Sequence, residues 1–219
     1  AIVGYTNAGK SSILNAIATS ADVLAADKLF ATLDPTTRRL DTSSGSVLVT
    51  DTVGFVRNLP HGLVEAFKAT LEEAADADLL VHIVDASDPE FDVQYETTCK
   101  VLAEIGAGTA KSLIVYNKID RLQDRTPLEF MAIRHPGSIF VSATTGEGLP
   151  ALKAAIEAAL TADEAEMTLR VLPADYAIVP LLYREAMVLS EGHDGEATIV
   201  RCRVPERLLS RVERFRLDQ

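Results

Sequence analysis

Residues Gly4-Tyr5-Thr6-Asn7-Ala8-Gly9-Lys10-Ser11 read G-x-x-x-x-G-K-[ST], and this stretch constrains the chain more than any other. Two glycines let the backbone curl so that several N–H groups point into one concavity, an anion-binding nest. Ala1-Ile2-Val3 before it reads as the end of a buried strand. Ile13, Leu14 and Ile17 after it give a helix an apolar face, so a positive helix end opens on the same concavity. Strand, glycine loop and helix together make a phosphate site. Lys10 would reach the β- and γ-phosphates of a nucleotide and the Ser11 hydroxyl would ligate Mg²⁺, with Ser12 just inside the helix. A chance glycine-rich turn is the bland alternative. Three partner motifs that follow in order argue against it.

The chain has 219 residues, which suits one medium domain with a small appendage. Its hydrophobic fraction of 47% and charged fraction of 24% are ordinary for a globular protein. Cys99 and Cys202 are far apart and in no metal-type spacing. That fits a reducing compartment, and the expected localisation is cytoplasmic. No apolar run approaches membrane-span length and no signal peptide opens the chain. The first residue already sits in a strand, so an upstream part is expected to be missing. The net charge of −11 disfavours nonspecific nucleic-acid binding. The tail is locally richer in arginine (Arg201, Arg203, Arg207, Arg211, Arg214, Arg216), against Glu206, Glu213 and Asp218. It reads either as a basic face for RNA or as a solvated face with paired charges.

No repeat is visible. A first helix is expected from Lys10 to about Thr19, then a loop from Ser20 to Arg39. Loops of this length in compact domains are usually functional. Arg38 to Thr42 and Ser46 to Thr50 read as a hairpin around Ser43-Ser44-Gly45. Leu63, Val64, Phe67 and Leu71 recur at helical spacing up to about Ala77. Leu79 to Val84 is a continuous apolar run, a strand buried on both faces. A helix over Val93 to Ile105, strands over Ser112 to Tyr116 and Ser138 to Val141, and a helix through Leu149, Leu152, Ile156 and Leu160 follow. Alternating strands and helices predict an α/β fold, a doubly wound and mostly parallel sheet with helices on both faces. The expected division is 1–160 for this domain, a polar connector over 161–166, and a small α+β domain over 167–219. In the last, the order is β-α-β-β-α: a strand from Met167 to Leu172, a helix from Asp175 to about Arg184 with Ile178, Val179, Leu182 and Tyr183 on one face, strands from Met187 to Leu189 and Thr198 to Val204 joined through His193-Asp194-Gly195, and a helix starting at Pro205.

Each chemical motif falls at the C-terminal end of a strand, where open α/β sheets bind ligands. Asp51-Thr52-Val53-Gly54 fits D-x-x-G. Asp51 would hold Mg²⁺ through a water, and the Gly54 N–H would bond a γ-phosphate and sense its presence. Asn117-Lys118-Ile119-Asp120 fits N-K-x-D. A carboxylate at Asp120 accepts two hydrogen bonds from guanine N1 and N2, a donor pair adenine lacks, so the motif selects GTP and GDP over ATP. The Lys118 stem would pack over the base, and Asn117 would tie this loop to the phosphate loop. Ser142-Ala143-Thr144 would close over the guanine oxygen with a backbone N–H. A mobile Mg²⁺ ligand is expected in the loop Phe30-Ala31-Thr32-Leu33-Asp34-Pro35-Thr36-Thr37. Thr36 and Thr37 lie next to a strand with little slack, so Thr32 is preferred. Lys10, Thr32 and Gly54 are thus the candidate catalytic residues, and Ser11, Thr32 and Asp51 the metal set.

Together these motifs resemble a translation-factor-type GTPase. The strings Gly4-Tyr5-Thr6-Asn7-Ala8-Gly9-Lys10-Ser11, Leu29-Phe30-Ala31-Thr32-Leu33-Asp34-Pro35-Thr36 and Asp51-Thr52-Val53-Gly54-Phe55 more specifically resemble the HflX family, in the Obg–HflX branch. So does Leu59-Pro60-His61 followed by Leu63-Val64-Glu65-Ala66-Phe67-Lys68. The resemblance covers the first domain strongly and the second loosely. It implies a ribosome-associated GTPase that binds the large ribosomal subunit, its RNA and protein, and promotes dissociation of stalled or idle ribosomes under stress. It also puts the Mg²⁺ threonine at Thr32. The family's N-terminal domain is absent from this sequence. A GTPase in ribosome assembly or RNA modification, or a nucleotide-gated binding module, are the competing readings. A monomer is expected.

Phe55 stands where many such switches place a water-orienting glutamine, and it has no polar atom. Unassisted turnover is expected on the order of 10⁻⁴ to 10⁻² s⁻¹. The missing element would come from the ribosome or from K⁺. Asn7 resembles the K⁺-coordinating asparagine of cation-activated GTPases, unless it only shapes the loop. His82 reads as a core residue and His135 and His193 as loop residues. For His61 a surface role is preferred over approach to the γ-phosphate. Tyr95, Tyr116, Tyr176 and Tyr183 read as packing residues.

Overall fold

A computed structural model describes residues 1–18, 36–43, 45–55, 74–162 and 164–217. The loop holding Phe30 to Asp34, His61 and the helical pattern from Leu63 to Leu71 lie outside the described residues. The chain divides into two compact units, Ala1–Glu157 and Ala158–Gln219.

The first unit runs β1 (Ile2–Gly4), α1 (Lys10–Ile17), β2 (Thr36–Thr42), β3 (Gly45–Asp51), β4 (Leu80–Asp85), α2 (Phe91–Glu104), β5 (Ser112–Asn117), α3 (Thr126–Arg134), β6 (Ile139–Phe140) and most of α4 (Leu149–Thr161), whose last residues fall past Glu157. Among the described residues the strands form one sheet in the order β2-β3-β1-β4-β5-β6. Only β2 is antiparallel, paired with β3 from Thr36↔Asp51 to Thr42↔Gly45. The other pairs are parallel. Leu80 to Val84 are all buried, as a central strand covered on both faces must be. Connections leave β1 toward β3 on one side and β4 on the other, so the sheet has its switch point beside the end of β1. Ile13, Leu14 and Ile17 of α1 are buried, which seats the helix and aims its N-terminus at that point.

Helix α3 had no counterpart in the sequence reading. Its apolar residues do not mark one face: Met131 is buried, but Phe130 and Ile133 are 69% and 76% exposed. The polar start carries the signal instead. Asp124 accepts hydrogen bonds from the backbone N–H and hydroxyl of Thr126, at 3.0 and 2.9 Å, ahead of Pro127.

The second unit runs β7 (Glu164–Val171), α5 (Ile178–Glu185), β8 (Met187–Asp194), β9 (Ala197–Pro205) and α6 (Glu206–Val212). Its antiparallel sheet has the order β7-β9-β8. Met167, Leu169, Val171, Val200, Cys202 and Val204 pack against Val179, Leu182, Leu208, Val212 and Phe215. Three expectations need correcting here. The polar connector over 161–166 is mostly regular structure, because α4 runs to Thr161 and β7 starts at Glu164, where pairing with Pro205 supplies backbone partners. His193 and Asp194 are still paired in β8, and the turn is Gly195-Glu196, with Gly195 at φ 60°. Tyr176 and Tyr183 are 50% and 57% exposed rather than packed. On α5 it is Leu181 that turns inward with Val179 and Leu182. No helix among the described residues is long and apolar enough to cross a membrane.

His82 is buried in β4 and stacks on Tyr95 of α2 with ring centroids 4.7 Å apart. Burial, with the charges of His135 and Lys10, pushes its imidazole down to about 3. An unfolded histidine titrates near 6.5. Between these values the unfolded chain binds the extra proton, so stability is full above pH ~6.5 and falls as pH drops, by about 1.4 kcal/mol per unit. His82→Phe should flatten this slope. Urea unfolding at pH 7 and pH 5 should show the natural chain losing about 2 kcal/mol more than the variant.

Candidate functional site

Four strand ends and the loops after them build one site. Gly4 ends β1 at φ 148°, and a Cβ there would lie 2.2 Å from the Ile83 carbonyl oxygen, so the loop can leave the sheet only as glycine. Gly9 opens α1 at φ 94°, and a Cβ on it would lie 2.3 Å from Asn117 Nδ2. Between them the turn is closed by Ala8 N–H donating to Tyr5 O at 3.2 Å, with Asn7 left-handed at φ 60°. Ala8 is buried, whereas Asn7 and Ser12 are exposed. Lys10 is buried and donates to Tyr5 O at 3.2 Å. Burial pushes its ammonium down to about 8, against the opposing pull of Asp51. An anionic ligand in the nest would push it back up.

Ser11 Oγ donates to Asp51 Oδ2 at 2.5 Å. A hydroxyl and a carboxylate side by side are hard oxygen donors and fit Mg²⁺. The third member of the expected metal set, Thr32, lies outside the described residues. After Asp51 the chain turns against the phosphate loop. The Thr52 hydroxyl donates to Ile2 O at 2.7 Å and Val53 is buried in the core, so both side chains are structural. Gly54 abuts the loop: a Cβ on it would lie 2.8 Å from Thr6 Cα and 2.9 Å from Lys10 Nζ. Phe55 then pairs with Tyr5, its N–H donating to Gly4 O at 3.1 Å and its carbonyl accepting from Thr6 N–H at 2.8 Å. The Phe55 ring is fully buried with Val3, Leu80 and Leu102.

The base-side motif is tied to the phosphate side directly. Asn117 is buried; its Nδ2 donates to Ala8 O at 3.0 Å and its Oδ1 accepts from Ala143 N–H at 3.2 Å. Only an amide presents a donor and an acceptor together at this length. Lys118 is left-handed at φ 65°, and its Nζ donates to Asn7 O at 2.5 Å and to Asp85 Oδ2 at 2.7 Å. Ile119 is buried in the core, and Asp120 follows with its side chain exposed on the 3₁₀ turn Ile119–Arg121. Ser142 is buried, its N–H donating to Glu147 O at 2.9 Å and its Oγ accepting from Thr145 N–H at 3.0 Å. Thr144 is exposed. The N–H groups of Ser142 and Ala143 are therefore both engaged within the protein, and a base oxygen would have to share the one on Ala143.

Residues 1–118 match the family model described as "50S ribosome-binding GTPase". The chain belongs to this family, in its HflX group. It is similar to GTPase HflX of Gluconacetobacter diazotrophicus, 43% identical over 215 residues, covering 98% of this chain and 47% of that protein. It is also similar to GTPase HflX of Magnetococcus marinus, 55% identical over 153 residues, covering 69% of this chain and 35% of that protein. The chain thus spans half or less of the length of these curated HflX relatives. Among solved structures it resembles a GTP-binding protein from the archaeon Sulfolobus solfataricus in complex with GDP. That likeness has a TM-score of 0.58 at 27% identity, covering 74% of this chain and 51% of that one.

Three features escaped the sequence reading. Asp85, at the end of β4, is the ion-pair partner of Lys118. Arg125 and Glu147 form a two-pronged pair at 2.7 and 2.9 Å outside the Ser142 loop. Gly148 sits at φ 75°, where a Cβ would lie 2.0 Å from the Phe140 carbonyl oxygen. An acid followed two residues later by serine at the end of an apolar run was the one available signal, that of an Asx turn. Gly148→Ala should destabilise the chain by at least ~2 kcal/mol more than Gly146→Ala. Gly146 has a similar φ of 83° but open space around its Cβ position, so the difference in urea midpoints isolates the clash.

Proposed function

We propose that the first unit binds and hydrolyses GTP as a switch, and that its output is binding to the large ribosomal subunit. The observation that carries this reading is the convergence on Asn117, whose single amide joins the phosphate loop at Ala8 to the Ser142-Ala143 loop. Phosphate recognition and base recognition are thereby held in one register. In this reading the nest and Lys10 hold the β- and γ-phosphates, and Asp120 accepts from guanine N1 and N2. Ser11 would hold Mg²⁺ directly, Asp51 through a water, and Thr32 would join them; the ion would supply charge neutralisation. Gly54, pressed against Thr6 and Lys10, reports the γ-phosphate through its N–H. The fused position of Phe55 leaves no side chain after Gly54 to orient water. The missing element must then come from outside, and the description of the matched family, 50S ribosome-binding GTPase, supports the large subunit as its source. Dissociation of stalled or idle ribosomes in the cytoplasm is the finer reading, and Asn7 is the residue through which K⁺ would act.

GTP turnover by this chain, measured with and without purified large subunits, tests this. Alone it should turn over on the order of 10⁻⁴ to 10⁻² s⁻¹, and subunits should raise the rate at least tenfold. No preference for GTP over ATP would sink the switch reading. Preference without stimulation would favour a nucleotide-gated binding module. Equal rates in K⁺ and Na⁺ buffers would remove the role given to Asn7.

Phe55→Gln is a sharper check, because the ring points into the core. The variant should lose about 3–5 kcal/mol of stability. Its turnover should not exceed that of the natural chain, since the new amide would be buried rather than placed beside the phosphate.

A further inference from the structure

We infer that Asp85 is a positioning residue for guanine-nucleotide retention, acting through Lys118; this rests on the reading of the first unit as a guanine-nucleotide site. Asp85 ends β4, beside Asn117 in the sheet register. One carboxylate oxygen, Oδ1, is pinned by two donors, the backbone N–H and the Oγ of Ser87, at 2.9 and 2.6 Å. The other, Oδ2, holds Lys118 Nζ at 2.7 Å, with the two side chains only 13% and 18% exposed. Lys118 Nζ donates in turn to Asn7 O in the phosphate loop.

The chain of contacts therefore runs Ser87, Asp85, Lys118, Asn7. Each link has a physical task. The Asx turn at Ser87 fixes where the carboxylate stands. The carboxylate fixes the ammonium, which would otherwise swing on a stem of rotatable bonds. The ammonium then holds the carbonyl of Asn7, a residue in the left-handed region at φ 60°. With Asn117 Nδ2 on Ala8 O, this makes two adjacent ties between the base-side loop and the phosphate loop. Asp85 touches neither tie's carbonyl, and it need not touch nucleotide. It sets the lysine stem in place beforehand, so that binding does not have to order it.

A positioning role of this kind acts on residence, not on the chemical step. Release of a fluorescent mant-GDP analogue should be about tenfold faster for Asp85→Asn than for the natural chain. KM for GTP should rise, while kcat at saturating GTP stays within twofold. Asp85→Glu, which keeps the charge, should recover part of the difference. Ser87→Ala, which keeps Asp85 but removes one of the two donors on its Oδ1, should fall between. Circular dichroism of the nucleotide-free proteins checks folding; if Asp85→Asn does not fold, Ser87→Ala decides. Release rates within twofold of the natural chain for the folded variants would overturn the inference, and so would a fall in kcat with release unchanged. Failure of the natural chain itself to bind mant-GDP would overturn the underlying nucleotide reading along with it.

Discussion

The two hydrogen bonds of the Asn117 amide are the interaction on which the rest of the first unit depends. One goes to Ala8 O and the other comes from Ala143 N–H. Three segments far apart in sequence meet there, and the amide is buried, so no water replaces a lost partner. The glycine at position 9 is part of the same constraint, because a side chain there would occupy the place of the amide nitrogen. Parallel pairing brings the strand ends to one edge, but only to within loop length of each other. The amide, and the Lys118 ammonium beside it, convert that rough proximity into a fixed geometry.

The segment after Asp51 follows a related logic. Thr52 hydrogen-bonds to Ile2, Val53 and Phe55 are buried, and Phe55 exchanges backbone bonds with Gly4 and Thr6. Thr6 N–H is therefore committed to the protein rather than to the nest. Gly54 lies between two anchored neighbours and presses on the phosphate loop with no room for a side chain. A large aromatic at position 55 costs the site a polar group and supplies in exchange a firm apolar anchor right after Gly54. The position of the Gly54 N–H is thus set by packing on both sides.

How much of this was legible in the sequence varies with the kind of interaction. Glycine spacing, the D-x-x-G and N-K-x-D strings and the apolar run before Asp85 are local patterns, and they marked the strand ends and the alternating α/β order. Ion pairs between distant side chains left no such mark. Lys118 with Asp85 and Arg125 with Glu147 join residues whose sequence separation exceeds any local period. Helix α3 was missed because its outward Phe130 and Ile133 blur the apolar face. Tyr183 was misread for the converse reason: it stands at a helical spacing from Val179, but its hydroxyl bonds Glu191 on β8 instead of entering the core. The connector over 161–166 looked like a linker because Glu164 and Glu166 are polar, although pairing with β9 needs only their backbones.

The arginine-rich tail was open between an RNA face and a solvated face, and four of its six arginines are ion-paired within the protein. Arg201 and Arg203 meet Glu166, Arg214 meets Asp175 and Arg216 meets Glu213. These pairs are exposed, and exposed pairs are worth only about 0.2–1 kcal/mol each. Pairing of this kind lowers the long-range attraction for a polyanion without locking the side chains. Electrostatic capture of a polyanion by this face is thus disfavoured, in keeping with a chain whose net charge is −11.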